Sequence, residues 1–169
     1  MLELKDSILE NLTAFRFVLF ICSCSYAVII YHWLKPSYSQ LKAGIMAATV
    51  QFWIGILFHY ELVELGFWKY RSMNFMVLNV PIDLHINWAI LWGLGICWLS
   101  DKWPGKKATF VKFLTYISLW TLFTLFFDIM MADWMVFLDW YKPNWWIVDI
   151  LILSTLQGFT VWFYKSIRK

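Results

Sequence analysis

The sequence predicts an all-α protein, a polytopic transmembrane helix bundle of about five spans. Three observations carry this: 62% of the 169 residues are hydrophobic, 21% are aromatic, and the apolar residues gather in five separate stretches. Each stretch is close to the 20 or so residues that a helix needs to cross a hydrocarbon core about 30 Å thick. An ordinary soluble domain carries about 45–50% apolar residues. A globule of this length has no interior for 13 Trp, 15 Phe and 8 Tyr, whereas lipid solvates the outside of a bundle. One transmembrane domain, residues 1–169, is therefore expected.

The N-terminal stretch Met1–Asn11 is acidic and polar and lacks the basic start and small-residue cleavage site of a secretory signal, so insertion is expected to rely on the first span. That span is read as Thr13–Trp33, the second as Ala43–Tyr60, the third as Ile82–Leu99, the fourth as Leu114–Met131 and the fifth as Trp145–Tyr164. Pro36, Pro81, Pro104 and Pro143 all fall between spans or at their edges, where a missing amide hydrogen does little harm. The longest connection, Glu61–Val80, contains Trp68, Tyr70 and Phe75 and is expected to lie along the interface. Trp33, Trp68, Trp103, Trp145 and Trp146 fit an interfacial aromatic belt. Cys22, Cys24 and Cys97 sit in apolar stretches without disulfide or metal spacing and read as small core residues.

Charge sets the expected orientation. Lys35, Lys42, Lys102, Lys106, Lys107, Lys165, Arg168 and Lys169 fall on one side of a five-span chain, against Lys5, Lys69, Arg71 and Lys142 on the other. The positive-inside rule then puts the N-terminus outside and the C-terminus in the cytoplasm, in the plasma membrane. The net charge of +3 is too small an excess for nucleic-acid binding.

With this topology nine ionisable residues reach one level near the outer interface: Arg16, His59, Glu61, Glu64, Asp83, His85, Asp128, Asp133 and Asp149. A carboxylate in hydrocarbon costs at least a few kcal/mol, so such groups face the bundle interior and seek a partner, water or a proton. Asp101 is the lone acid expected on the cytoplasmic side. Helical spacing lines up Gly44, Gln51, Gly55 and His59 on the second span, Thr121, Thr124 and Asp128 on the fourth, and Asp149, Gln157 and Thr160 on the fifth. Such stripes serve close helix packing as well as they serve a pocket. On the third span Asp83 and Asn87 share one face, and His85, Trp88 and Trp92 the other.

The chain has only three histidines and no GxSxG, HExxH, Walker or GxGxxG motif, which leaves di-iron, hydrolase and nucleotide chemistry without an anchor. No metal-spaced motif is present, and no metal or organic cofactor is expected. What fits is acid–base work on an apolar lipid. A buried carboxylic acid protonates a double bond, aromatic faces stabilise the cation, and a second carboxylate activates water or removes a proton. Asp128 is the expected general acid, Asp83 and Asp149 the base or water-positioning groups, and Trp88, Trp92 and Trp120 the walls. His59, His85, Asn87 and Arg16 complete the substrate-binding set.

The run Glu64-Leu65-Gly66 followed by Tyr70, then Val80-Pro81-Ile82 and Trp88, resembles the membrane carotenoid-biosynthesis family that includes the bisanhydrobacterioruberin hydratases. Asp128, Asp133, Trp140, Trp145 and Trp146 stand in the comparable later region, with Trp134 where the family carries Pro. The resemblance covers about residues 60–150 and implies water addition to a polyene, with Glu64, Asp128 and Asp133 as acids. Two other classes use the same residues: a small transporter or ion-pathway subunit, and a non-catalytic assembly subunit of a membrane complex. Expected partners are the membrane, a lipid or isoprenoid substrate and, as an option, a second copy in a homo-oligomer.

Overall fold

The computed structural model describes residues 12–70, 76–105, 107–133, 138–140 and 143–168. Five long helices make up most of it: α1 (Leu12–Leu34), α2 (Tyr38–Glu64), α3 (Ile82–Leu99), α4 (Phe110–Asp133) and α5 (Trp145–Ile167). Each is long and apolar enough to cross a membrane, so the chain is a multi-pass membrane protein. The third span has the bounds that hydropathy predicts, while α2 and α4 run a few residues beyond theirs. The starts and stops follow local chemistry. Ser37 opens α2 with a reciprocal cap, accepting from the Gln40 amide while the Gln40 side chain accepts from the Ser37 amide. Gly66 leaves α2 with φ 68, a conformation that costs glycine nothing.

The connection between α2 and α3 departs from an interfacial segment. Trp68–Tyr70 forms β1, antiparallel to β4 (Leu138–Trp140) from the link between α4 and α5. Met76–Val77 (β2) and Val80–Pro81 (β3) form a hairpin whose two turn residues, Leu78 and Asn79, both have positive φ, as the tightest hairpins require. In β1 the side chains alternate, with Trp68 and Tyr70 inward and Lys69 outward. Trp68, expected in the interfacial belt, is 2% exposed, whereas Trp33, Trp103 and Trp146 do face outward.

α2 is the central helix and packs along α3 and α5; α4 lies on α5, and α1 on α3. The small-residue stripe of α2 is where α3 docks. Gly44 lies under the Trp98 indole, Ala48 meets Gly93, and Gly55 lies under His85. α3 is not a uniform α-helix, since Ala89–Leu94 is a π-helical turn. Such widened turns concentrate at functional sites. Cys97 is fully buried and its thiol faces the Thr160 carbonyl, whereas Cys22 is exposed and Cys24 half-buried.

At the end of the bundle where α3 and α5 finish, Asp101 gathers three segments. It accepts from Gln40 Nε2 and from the Tyr164 hydroxyl, each at 2.7 Å, and pairs with Arg168. This carboxylate is structurally satisfied.

A Cβ on Gly93 would lie 2.9 Å from the Ala48 Cα, so Gly93→Ala is expected to lower the stability of the purified protein in detergent by about 1–3 kcal/mol. Gly158 has nothing within 4 Å, and Gly158→Ala is expected to be neutral or to stabilise by up to about 1 kcal/mol. Thermal unfolding of the two variants side by side checks both.

Candidate active site

The stripes on α4 and α5 face each other and form a polar seam inside an apolar bundle. Thr121, Thr124 and Gln157 are all buried. Gln157 Nε2 donates to Thr124 Oγ1 at 2.8 Å, and Thr121 Oγ1 donates to Gln157 Oε1 at 3.3 Å. One turn beyond Thr124 on α4 and about two turns before Gln157 on α5, the carboxyls of Asp128 and Asp149 adjoin. They are 2% and 3% exposed, and neither Asp128 oxygen, nor Asp149 Oδ2, has a donor in reach. Two adjoining carboxyls cannot both carry charge cheaply, and a proton shared between them removes the conflict. The pair is therefore built to hold a proton and, given an acceptor, to give one up.

A second pair comes from α2 and α3. The His59 and His85 rings meet edge to face at 4.6 Å. Each is anchored through Nδ1 to its own helix, His59 on the Gly55 carbonyl at 2.7 Å and His85 on the Pro81 carbonyl at 3.0 Å. Trp88 packs on both rings, at 5.1 and 5.3 Å, and Trp68 on His59 at 5.5 Å. His85 Nε2 is buried and has no hydrogen-bond partner.

Tyr70 stands between the two pairs. Its ring is 6.3 Å from His59 and 6.5 Å from His85. Burial holds its hydroxyl protonated well above the usual phenol range, and the Asp128 and Asp149 carboxyls reinforce that shift. At neutral pH Tyr70 thus keeps its proton, near the imidazoles and within electrostatic reach of the carboxyls. Sequence reasoning missed Tyr70 as a site residue. The Trp-Lys-Tyr alternation was the available signal, but pairing with residues 138–140 is needed to bring it over the bundle.

An aromatic cleft of about 730 Å³ lies between α1 and α4 with α3 as its floor. Trp92, Trp120, Phe123 and Phe127 line one end, and Trp33, Trp103 and Lys102 the other. Trp92 belongs to the π-helical turn, and its indole N–H is buried without a partner. Phe127, at the inner end of the cleft, immediately precedes Asp128 in α4, and neither Asp128 nor Asp149 lines the cleft itself.

The structure thus brings Asp128 to Asp149, gathers His59, His85 and Trp88, and places Trp92 and Trp120 in the cleft. Trp88 boxes the imidazoles and does not line the cleft with the other two tryptophans. Asp83, expected as a base, is instead held by Arg16, whose Nε donates at 2.5 Å and whose second nitrogen completes a two-pronged ion pair tying α1 to α3. Asn87 is buried with neither amide atom hydrogen-bonded. Glu64 is exposed at the end of α2, apart from the buried pairs. The side chain of Asp133, and that of Asp139, lie outside the described residues. Among the described residues no three His, Cys, Asp or Glu side chains converge as a metal site.

Removing Arg16 strands the Asp83 charge, so Arg16→Leu is expected to destabilise the bundle, and Asp83→Asn in the same chain to recover part of the loss. A double-mutant cycle of detergent melting temperatures measures this coupling. The carboxyl pair behaves oppositely: Asp149→Asn replaces the shared proton with a permanent amide donor to Asp128, and is expected to leave the melting temperature unchanged or raised.

No protein-family model matches the chain, and no curated protein or solved structure is similar to it.

Proposed function

We propose that this chain is a membrane-embedded acid–base enzyme acting on an isoprenoid-like or carotenoid-like lipid, by hydration, cyclisation or isomerisation of a double bond. The observation that carries it is the buried carboxyl pair Asp128–Asp149, three of whose four oxygens have no donor, in a bundle that also holds an aromatic cleft. A carboxylic acid is strong enough to protonate a carbon–carbon double bond only where water does not level it and where the resulting cation meets aromatic faces. Trp92, Trp120 and Phe127 pack on one another in the cleft and supply such faces. Membership of the carotenoid-biosynthesis family resembled by residues 60–150 is part of this reading, as is an N-outside, C-inside topology in the plasma membrane.

A second reading, an ion or proton pathway, draws on the seam itself, which continues from Asp128 through Gln157 and Thr160 towards Tyr164 and Asp101. Its hydroxyls weigh against it. Thr124 Oγ1 donates to the Trp120 carbonyl and Thr160 Oγ1 to the Leu156 carbonyl, so each proton is committed to its own helix, and the Gln157 amide between them does not relay one.

Asp128→Asn is expected to abolish turnover of an added polyene by the purified protein while leaving the protein folded, and full activity in that variant rejects the assignment. Proton flux into proteoliposomes that disappears in the same variant would favour the pathway instead. For topology, with Cys22 and Cys24 replaced by Ala, an impermeant thiol reagent on intact cells is expected to label Val77→Cys and to spare Lys107→Cys.

A further inference from the structure

The tautomers of His59 and His85 are fixed by their neighbours. A backbone carbonyl only accepts, so a ring nitrogen facing one carries the proton, and a neutral imidazole then has a bare lone pair on its other nitrogen. Both rings spend Nδ1 in this way, on Gly55 and Pro81. Both Nε2 atoms are therefore acceptors, and that of His85 is enclosed with nothing to accept from. The acid that could have served this corner, Asp83, is engaged by Arg16. Around the rings stand Trp68, Trp88 and Tyr70, an aromatic box with little polar competition. A buried acceptor left empty is costly, and a small donor with two hydrogens recovers that cost.

We propose that His59 and His85 bind the reacting water through their Nε2 lone pairs, and that one of them takes its proton. This rests on the acid–base reading above and narrows it to hydration. Asp128 transfers its proton to one carbon of a double bond, whose π electrons form the new C–H bond and leave the neighbouring carbon cationic. The water oxygen donates a lone pair to that carbon, forming the C–O bond. Its excess proton passes to imidazole Nε2. The Tyr70 hydroxyl, between the pairs, returns a proton to the carboxyls and is reprotonated from the imidazolium. One water is consumed, one alcohol is formed, and no oxidant or reductant is needed.

The test uses the full-length protein in lipid nanodiscs with acyclic polyenes and polyprenols, in deuterium oxide enriched in heavy oxygen, read by mass spectrometry. Wild-type protein is expected to yield alcohol carrying one heavy oxygen and one carbon-bound deuterium. In H59Q/H85Q, which keeps acceptor oxygens but removes the bases, heavy-oxygen product is expected to fall 100-fold or more while deuterium exchange into recovered olefin falls far less. Asp128→Asn is expected to lose both labels. Undiminished heavy-oxygen product in H59Q/H85Q would overturn the water role and leave the carboxyl assignment standing, and absence of both labels with wild-type protein would overturn both. Nitrogen NMR of the ring atoms needs no turnover: Nδ1 protonated and Nε2 bare is expected for both histidines, and a protonated Nε2 with bare Nδ1 in either overturns the proposal.

Discussion

Two buried carboxyls lying against each other inside an apolar bundle constrain everything around them. Lipid offers no hydrogen bonds, so Asp128 and Asp149 can be tolerated only if α4 and α5 lie against each other with their polar faces sealed inward. Thr121, Thr124 and Gln157 do that sealing and set the register of the two helices through side-chain hydrogen bonds. With that seam closed, the outer faces of the same helices are free to be greasy, and Leu122, Phe126 and Leu151 project outward from them. Composition that would be disastrous for a soluble protein follows from this arrangement.

The acids differ in how they are treated, and the difference separates structure from chemistry. Asp83 and Asp101 each receive an arginine. Asp128 and Asp149 receive only each other. A protein that pairs Asp83 and Asp101 with guanidinium groups and leaves three of the four oxygens of the buried Asp128 and Asp149 without a donor has spent its neutralising charge selectively. The same asymmetry runs through the imidazoles, whose inner nitrogens are tied down and whose outer ones are not. Strand β1 then carries Tyr70 over both pairs, and the π-helical turn carries Trp92 into the neighbouring cleft.

Much of this was legible in the sequence, because lipid imposes rules that hydropathy and helical spacing read directly. The five spans, the docking stripe on α2 and the facing stripes on α4 and α5 follow from residues 3, 4 and 7 apart on one helix. The pairing of Asp83 with Arg16 was not legible, since whether two such residues meet depends on how two helices are rotated, which spacing along one of them does not encode. Trp68 and Tyr70 were hidden for a similar reason. Their burial comes from pairing across some 70 residues with 138–140, whereas a single strand of three residues reads as an interfacial loop. The π-helical turn left no trace, since Ala89–Leu94 is apolar in any helical period.

Asp101 has a bearing on how the chain is assembled. Its partners are Gln40 near the start of α2 and Tyr164 and Arg168 at the finish of α5. While the polypeptide is being delivered to the bilayer, the first three helices enter with that carboxylate still lacking its cation. Only the fifth supplies it, so the clasp cannot close before the last span has packed against the others.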